Sequence, residues 1–209
     1  MRIGPKLNAM DAEPVLCTRP PIGDMPRHYT RPTMEDHQLI ERIRQTALLE
    51  GHFTLRSGRT SRYYLDKYLF ETQPDILAAV AERFARHADD RIDRLAGAEL
   101  GGIPLVTATS LLTAKPTILI RNARKDYGTA KQIEGVLNRG DRVMIVEDVA
   151  TSGGQVLEAA AVLSEAGAQV VRIVAVIDRQ EGAAANIEKA GYEFRALLTR
   201  EDLGIGKDD

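Results

Sequence analysis

Two adjacent acids, Glu147 and Asp148, end an apolar run, and a small turn of hydroxyl and glycine residues follows them in VMIVEDVATSGGQ, residues 143 to 155. Ionised carboxylates accept hydrogen bonds but cannot donate them, so the acids suit a ligand rich in hydroxyl donors, such as a ribose diol. The turn at 151 to 155 can offer backbone N–H groups and two hydroxyls to one anion at the start of a helix. Together the two halves predict a ligand that has both a diol and a phosphate.

Plainer interpretations of this stretch stay open at this point. Glu147 and Asp148 could form only a polar strand end, and the turn could be an ordinary helix cap. Two other phosphate-binding motifs match poorly, because GxxxxGK[ST] needs a lysine and GxGxxG needs an acid on the next strand, and neither is present here. The acids and the turn at this spacing favour a sugar phosphate more strongly than either half alone.

The composition is typical of one intracellular globular domain. The 209 residues are 44% hydrophobic and 28% charged, which allows a buried core. The formal charge of −2 argues against nucleic acid or an anionic membrane as a partner. Cys17 is the single cysteine, which excludes an intramolecular disulfide and a cysteine-cluster metal site. No run of about 20 apolar residues spans a bilayer and no secretory apolar region opens the chain, so we expect a cytoplasmic protein.

Apolar strands that alternate with helices from Pro74 onward predict the scaffold. Helices are predicted at 74–88, 104–114, 153–167 and 183–191, and strands at 91–98, 117–121, 142–148, 169–178 and 192–198. Short, nearly continuous apolar strands separated by helices are typical of a parallel sheet covered on both faces. Ligands of such sheets bind beyond the carboxyl ends of the strands, where Glu147 and Asp148 are expected. We therefore predict an α/β fold with a doubly wound, mainly parallel sheet.

The first part of the chain predicts an extension and a small cap. Residues 1–33 hold six of the nine prolines and have no regular periodicity, so we expect an irregular or disordered extension before a domain at 34–209. Met34 could be the biological start. A helix is predicted over 34–51 with Gly51 as its stop, and a basic, glycine-centred turn at 52–70 predicts a hairpin.

The VMIVEDVATSGGQ stretch resembles the phosphoribosyl diphosphate signature of type I phosphoribosyltransferases. Three further blocks resemble orotate phosphoribosyltransferases and keep their order from about Met34 onward: FTLRSGRTSRYYLD at 53–66, RNARKDYGTAKQIEG at 121–135 and DRQEG at 178–182. The resemblance implies the type I phosphoribosyltransferase fold with a small helix and hairpin cap. It also implies transfer of ribose 5-phosphate from 5-phospho-α-D-ribose 1-diphosphate (PRPP) to orotate in UMP biosynthesis. Mg²⁺ is then the cofactor, held mainly by substrate oxygens with no direct protein ligand.

The same resemblance assigns roles to individual residues. Lys125, Asp148 and Glu147 are implied to be catalytic. Orotate is implied to contact Thr151 and Arg179, with Tyr63 and Tyr64 near the pyrimidine. The positions implied to bind PRPP are Arg56, Leu100, Gly101, Arg121, Lys125, Tyr127, Glu147, Asp148, Val149, Ala150, Thr151, Ser152, Gly153, Gly154 and Gln155. Lys125 is implied to lie on a mobile loop that reaches the neighbouring subunit, so the resemblance also implies a homodimer with shared active sites.

Some of these positions have alternatives or depart from the family. The basic segment at 121–131 could be a solvated loop, and Arg179 could form an ion pair with Asp178 or Glu181. Tyr63 and Tyr64 could simply be packed in a strand. Gly101 stands where some members carry lysine, and Asn122 and Tyr127 depart from a frequent lysine and a common histidine.

Two rival functions remain from the sequence alone. One is a phosphoribosyltransferase for another base, such as uracil or a purine. The other is a non-catalytic regulator that senses PRPP, which would be expected to carry a helix-turn-helix or a basic face. The proline-rich extension argues against the first of these devices, and the cations at 121–131 favour an enzyme.

Overall fold

The computed structural model describes residues 34–54, 60–122 and 132–206, and Thr33–Asp209 form one compact unit. The predicted extension at 1–33 lies outside the described residues. Arg56, Lys125 and Tyr127 lie outside them as well.

The N-terminal cap begins with helix α1 (Asp36–Ala47), which buries Leu39, Ile43 and Ala47. A capping box starts the helix, since the Glu35 backbone N–H donates to the Gln38 side chain at 2.9 Å. The prediction that the helix runs to Gly51 was wrong at its end. From Leu48 the backbone is extended and pairs with another strand, and this pairing replaces the last helical turn.

The predicted hairpin is confirmed. Strand β1 (Leu48–Thr54) pairs antiparallel with β2 (Thr60–Leu65), with Leu48 opposite Leu65. A short helix, α2 (Lys67–Glu71), follows β2 and was not predicted. The Asp66 side chain caps it by accepting a hydrogen bond from the backbone N–H of Tyr68 at 3.2 Å.

After α2, the described residues form a six-stranded sheet in the order β5-β4-β3-β6-β7-β8, in which β5 pairs antiparallel with β4 and the other described pairs are parallel. Its strands are β3 (Arg94–Ala98), β4 (Thr117–Ile120), β5 (Ile133–Glu134), β6 (Arg142–Ala150), β7 (Gln169–Asp178) and β8 (Glu193–Thr199). The helices around it are α3 (Pro74–His87), α4 (Gly102–Thr113), α5 (Gly154–Glu165) and α6 (Ala183–Lys189).

Alternate residues of the central strands pack into two different cores. On β6, Met144 and Val146 join the cluster with α1, α3 and α4, whereas Val143 and Ile145 join the cluster with α5 and α6. Because successive strand residues point to opposite faces, the sheet is covered on both sides. This confirms the predicted doubly wound α/β fold. None of the helices in the described part of the chain is long and apolar enough to cross a membrane.

The strand order places a topological switch point between β3 and β6. From β3 the chain moves outward to β4, whereas from β6 it moves in the other direction to β7 and β8. The connections that leave the carboxyl ends of β3 and β6 therefore diverge and leave a crevice, which is where open α/β sheets bind ligands. The loop at 99–101 and the turn at 151–153 lie at this crevice.

Candidate active site

Glu147 and Asp148 lie near the carboxyl end of β6, at the switch point. The strand continues to Ala150, so the acids lie within it and not at its last position as the sequence predicted. Both are buried, with 7% and 3% of their surfaces exposed. Two adjacent buried carboxylates carry a large desolvation cost unless other groups compensate them.

A lysine from α2 provides the direct compensation. The Lys67 ammonium Nζ donates to Oδ2 of Asp148 at 2.6 Å, and the Val149 backbone N–H donates to Oδ1 at 2.5 Å. Burial alone lowers the pKa of Lys67, but its hydrogen bond to Asp148 and the nearby negative charges outweigh burial and raise that pKa. Lys67 is therefore a cation at neutral pH, and its side chain is still 30% exposed at the crevice.

A third acid, Glu71, lies beside this pair. It is 2% exposed, and its Oε1 is buried with no hydrogen-bond partner among the described residues. Burial raises the pKa of Glu71 to about 8, and the charge of Asp148 adds to the shift. Burial likewise raises the pKa of Glu147 to about 8, again with a contribution from Asp148. The cluster thus holds protons at neutral pH and is less negative than its three carboxyl groups suggest.

Gly101, in the loop after β3, fits closely against these acids. A Cβ at this position would overlap Oδ2 of Asp148 and would lie 2.9 Å from Oε1 of Glu71. A side chain at Gly101 would therefore require the acids to move. Its neighbour Leu100 is 63% exposed, so the backbone of this loop borders the crevice.

The turn after β6 leaves the start of α5 open. Gly153 adopts a left-handed φ of +80°, and a Cβ there would lie 3.1 Å from Cγ1 of Ile187, so both the backbone and the space favour glycine. The N-cap residue of α5 is Gly153, and within the described part of the chain no side chain caps the helix. Ser152, Gly154 and Gln155 are exposed. The first N–H groups of the helix, which have no partner inside the helix, can therefore meet an anion.

Helix α6 holds this turn in place from behind. The backbone N–H of Ala183 donates to the Thr151 carbonyl at 3.1 Å, and the Asn186 side-chain amide donates to the Ser152 carbonyl at 2.9 Å. The carbonyl groups thus face α6, which is consistent with N–H groups that face the crevice.

Arg179 and Tyr63 meet on the other side of the crevice. The Arg179 backbone N–H donates to the Ala150 carbonyl at 2.9 Å, which fixes Arg179 beside the turn. Its guanidinium Nη2 donates to the Tyr63 hydroxyl at 3.3 Å and also pairs with Glu181 at 2.9 Å. The ion pair proposed as an alternative is therefore present. Tyr64 points away, 45% exposed, with its ring centroid 5.6 Å from that of Phe53.

Arg121 follows β4 at the same edge of the sheet. Its backbone N–H donates to the Gln132 carbonyl at 2.9 Å, which joins the two ends of the 123–131 segment. The Asn122 backbone N–H donates to Oε1 of Glu99 at 2.8 Å, and the Gln155 side chain donates to Oδ1 of Asn122 at 3.4 Å. These bonds tie the ends of β3 and β4 to the start of α5.

The structure thus gathers Leu100, Gly101, Arg121, Glu147, Asp148, Arg179, Tyr63 and the residues 149–155 along one edge, and it separates Tyr64 from them. Sequence reasoning missed Lys67 and Glu71. The signal for them was that Lys67 and Glu71 are four residues apart and that Lys67 directly follows Asp66, which caps a helix. This spacing places both side chains on one face of a helical turn. In the described part of the chain, no group of three His, Cys, Asp or Glu side chains is arranged to hold a metal ion.

Comparison with known proteins identifies the family of this chain. The model of the phosphoribosyl transferase domain matches residues 69–191. An orotate phosphoribosyltransferase of Pyrococcus horikoshii is 43% identical over 182 residues, which cover 84% of this chain and 98% of the relative. The chain belongs to the orotate phosphoribosyltransferase family. Orotate phosphoribosyltransferases are pentosyltransferases, so the chain is an enzyme of this class.

Solved structures agree with the family. An orotate phosphoribosyltransferase of Mycobacterium tuberculosis aligns with a TM-score of 0.74 at 31% identity, over 81% of this chain and 99% of the solved chain. The same protein in complex with PRPP aligns with a TM-score of 0.70 at 30% identity, over the same shares of the two chains. The predicted type I phosphoribosyltransferase fold is thereby confirmed.

Proposed function

We propose that this chain transfers the ribose 5-phosphate group from PRPP to orotate and gives orotidine 5′-monophosphate and diphosphate. One observation supports the assignment beyond family membership: the buried acids of β6 adjoin an open helix start at the switch point. This arrangement offers a carboxyl edge for a ribose diol and N–H groups for a phosphate on the same ligand.

The donor is proposed to lie along the crevice with its two ends in different environments. Its 5-phosphate accepts hydrogen bonds from the turn at Thr151, Ser152, Gly153, Gly154 and Gln155. Its ribose hydroxyls meet Glu147 and Asp148. The adjoining backbone of Val149 and Ala150 completes the edge, and its position within β6 keeps this part of the site rigid.

The diphosphate of the donor is proposed to lie toward β3 and β4. Leu100, which is 63% exposed, and the buried Gly101 beside it border this side, and Arg121 follows β4 with 37% of its side chain exposed. Family resemblance adds Arg56, Lys125 and Tyr127. Mg²⁺ is proposed to arrive with the donor on its diphosphate and ribose oxygens, where it would offset the charge of the leaving group.

Orotate is proposed to lie between the ribose and Arg179. Orotate has a carboxylate that uracil lacks, and a planar guanidinium binds such a group through two parallel hydrogen bonds. To do so, Arg179 exchanges its ion pair with Glu181 for one with orotate; the two side chains are 22% and 27% exposed. The Tyr63 hydroxyl, already bonded to Arg179, keeps the guanidinium at this side.

The chemistry needs positioning more than acid–base groups. The C1–O bond to diphosphate breaks with its electron pair on the leaving group, and N1 of orotate forms the new bond to C1 and gives its proton to the departing diphosphate. Cations beside the diphosphate stabilise the departing charge, and the Asp148 carboxylate places negative charge near the cationic ribosyl centre. Exclusion of water prevents hydrolysis of the donor.

The oligomeric state and the cellular location are also proposals. A cytoplasmic homodimer with shared active sites follows from the resemblance of residues 121–135. On α4, Leu111 and Leu112 are 83% and 49% exposed, and a second copy could cover this apolar surface. Sedimentation equilibrium of the purified chain measures the oligomeric state.

The test is a direct assay. Purified protein with Mg²⁺, PRPP and orotate should reduce the orotate absorbance and form orotidine 5′-monophosphate, and Asp148→Asn should turn over far more slowly. Uracil, adenine, hypoxanthine and guanine serve as competing acceptors. Turnover of another base but not of orotate would show that the acceptor is that base and not orotate. PRPP binding without any turnover would favour a regulator.

A further inference from the structure

The short helix α2 brings the Lys67 ammonium to the acids of β6. The roles proposed above for Glu147 and Asp148 do not explain why this cation is there. Lys67 Nζ lies 2.6 Å from Oδ2 of Asp148, whereas the two residues are 81 positions apart in the chain. A charge-assisted hydrogen bond of this length between a half-buried lysine and a 3%-exposed aspartate fixes the carboxylate in one orientation. Helix α2 is therefore part of the site's construction.

We propose that Lys67 is a positioning residue that holds the Asp148 carboxylate in the orientation in which it receives the donor's ribose hydroxyls. This inference rests on the proposed function. It adds a residue to the site and a reason for α2.

Three contacts leave Asp148 little freedom while Lys67 is present. Oδ1 is held by the Val149 backbone N–H and Oδ2 by Lys67. The backbone of Gly101 covers the same oxygen so closely that a Cβ would overlap it. Without the ammonium, the described groups that would still hold the carboxylate are the adjacent Val149 backbone N–H and the neighbouring Glu71 carboxyl group, and neither carries a positive charge.

The second contribution of Lys67 is to charge. Glu71, Glu147 and Asp148 are 2%, 7% and 3% exposed, and the buried Oε1 of Glu71 accepts no hydrogen bond from the described residues. Among the described residues, Lys67 is the cation that forms an ion pair with Asp148. Removal of this cation would leave an uncompensated buried acid, and such a loss is more costly than loss of a surface ion pair. The acids would then be displaced or would hold more protons.

The location of Lys67 separates this role from orotate binding. Lys67 and Asp148 meet beside Gly101, on the side of the crevice formed by the β3 loop. Arg179 and Tyr63 meet on the other side, next to the turn after β6. A positioning role for Lys67 therefore affects the donor, whereas a general structural role would affect both substrates.

The experiment measures steady-state kinetics for each substrate in the full chain. Lys67→Met removes the charge and keeps an unbranched side chain. We expect kcat/KM for PRPP to fall roughly 10- to 100-fold, which corresponds to one hydrogen bond to a charged group, while KM for orotate stays within about twofold. Lys67→Arg should recover most of the loss, because it restores a cation that can donate to Asp148. The matched control is Lys189→Met, an exposed lysine at the end of α6.

Binding of PRPP without acceptor, measured by calorimetry, gives a second readout that needs no turnover. Weaker binding to Lys67→Met than to Lys189→Met supports the proposal. Equal kcat/KM for PRPP in Lys67→Met and the wild type overturns it, and so does an equal rise in KM for both substrates. If Lys67→Met does not fold, Lys67→Gln carries the same test. A wild type that uses another base contradicts the proposed function, and PRPP kinetics with that base still test Lys67.

Discussion

The stability of the unliganded protein should depend on pH through Glu71. Burial raises the pKa of this carboxyl group from its ordinary 4.5 to about 8, with Asp148 as the next contribution. Between these values the folded state holds a proton that the unfolded state has lost. Rising pH therefore lowers the free energy of unfolding, by at most about 1.4 kcal/mol per pH unit for one such group. This contribution to stability is fully present below pH 4.5 and is lost as pH rises through 8.

Glu71→Gln isolates this effect, because the amide has the shape and the donor of a protonated carboxyl group but no proton to lose. Relative to wild type, the variant should gain stability as pH rises from 5.5 to 7.5. The gain is at most about 3 kcal/mol over these two pH units, and we expect about 1 to 3 kcal/mol. Glu147, whose pKa is also raised to about 8, adds its own pH dependence to both proteins, so the difference between them is the relevant quantity.

The assay is urea unfolding followed by circular dichroism at pH 5.5, 6.5 and 7.5 without substrates. Glu158→Gln, at an exposed position of α5, is the control and should follow the wild type. Parallel stability profiles for Glu71→Gln and wild type would mean that folded Glu71 is already ionised at pH 5.5. That result, or a gain that shrinks as pH rises, would refute the description of the acid cluster.

Three further substitutions test other parts of the crevice. Gly101→Ala places a Cβ onto Oδ2 of Asp148 and should lower kcat/KM for PRPP at least tenfold; kinetics like those of the wild type would show that the loop has room. Arg179→Ala should raise KM for orotate roughly 10- to 100-fold, as expected for a lost charge-assisted hydrogen bond, and an equal loss with every nucleobase acceptor would argue against a carboxylate contact. Lys125→Ala should lose far more turnover than PRPP binding, and wild-type turnover would contradict its proposed role at the leaving group.

The sheet could be predicted because its signals are local. Strands β6 and β7 are long apolar runs, and only a sheet covered on both faces buries such runs. The end of α1 could not be predicted in the same way. Leu48 continues the helical apolar pattern of the preceding residues, but its pairing with Leu65 depends on a strand that the pattern of α1 does not contain.

The candidate site divides along the same line. Glu147, Asp148 and the following turn are contiguous, so their combination was visible in the sequence. Lys67 and Glu71 act on Asp148 from a five-residue helix, in which a spacing of four residues is a weak signal, and their partner lies far along the chain. Successive residues of a strand point to opposite faces, so the sequence already indicates that Tyr63 and Tyr64 cannot both face the site. In the structure Tyr63 is buried and Tyr64 is exposed.

Electrostatics explains why the acids need neighbours that a motif does not include. A diol requires carboxyl groups at the edge of the sheet, but at a switch point that edge is buried between the loops of β3 and β6. Carboxylates placed there without compensation would destabilise the fold. In this chain, Lys67 compensates the charge of Asp148, and Glu71 and Glu147 hold protons. Gly101 has no side chain, so its loop can pack directly against these acids. The motif thus specifies the groups that are proposed to meet the donor, and α2 makes their burial compatible with folding.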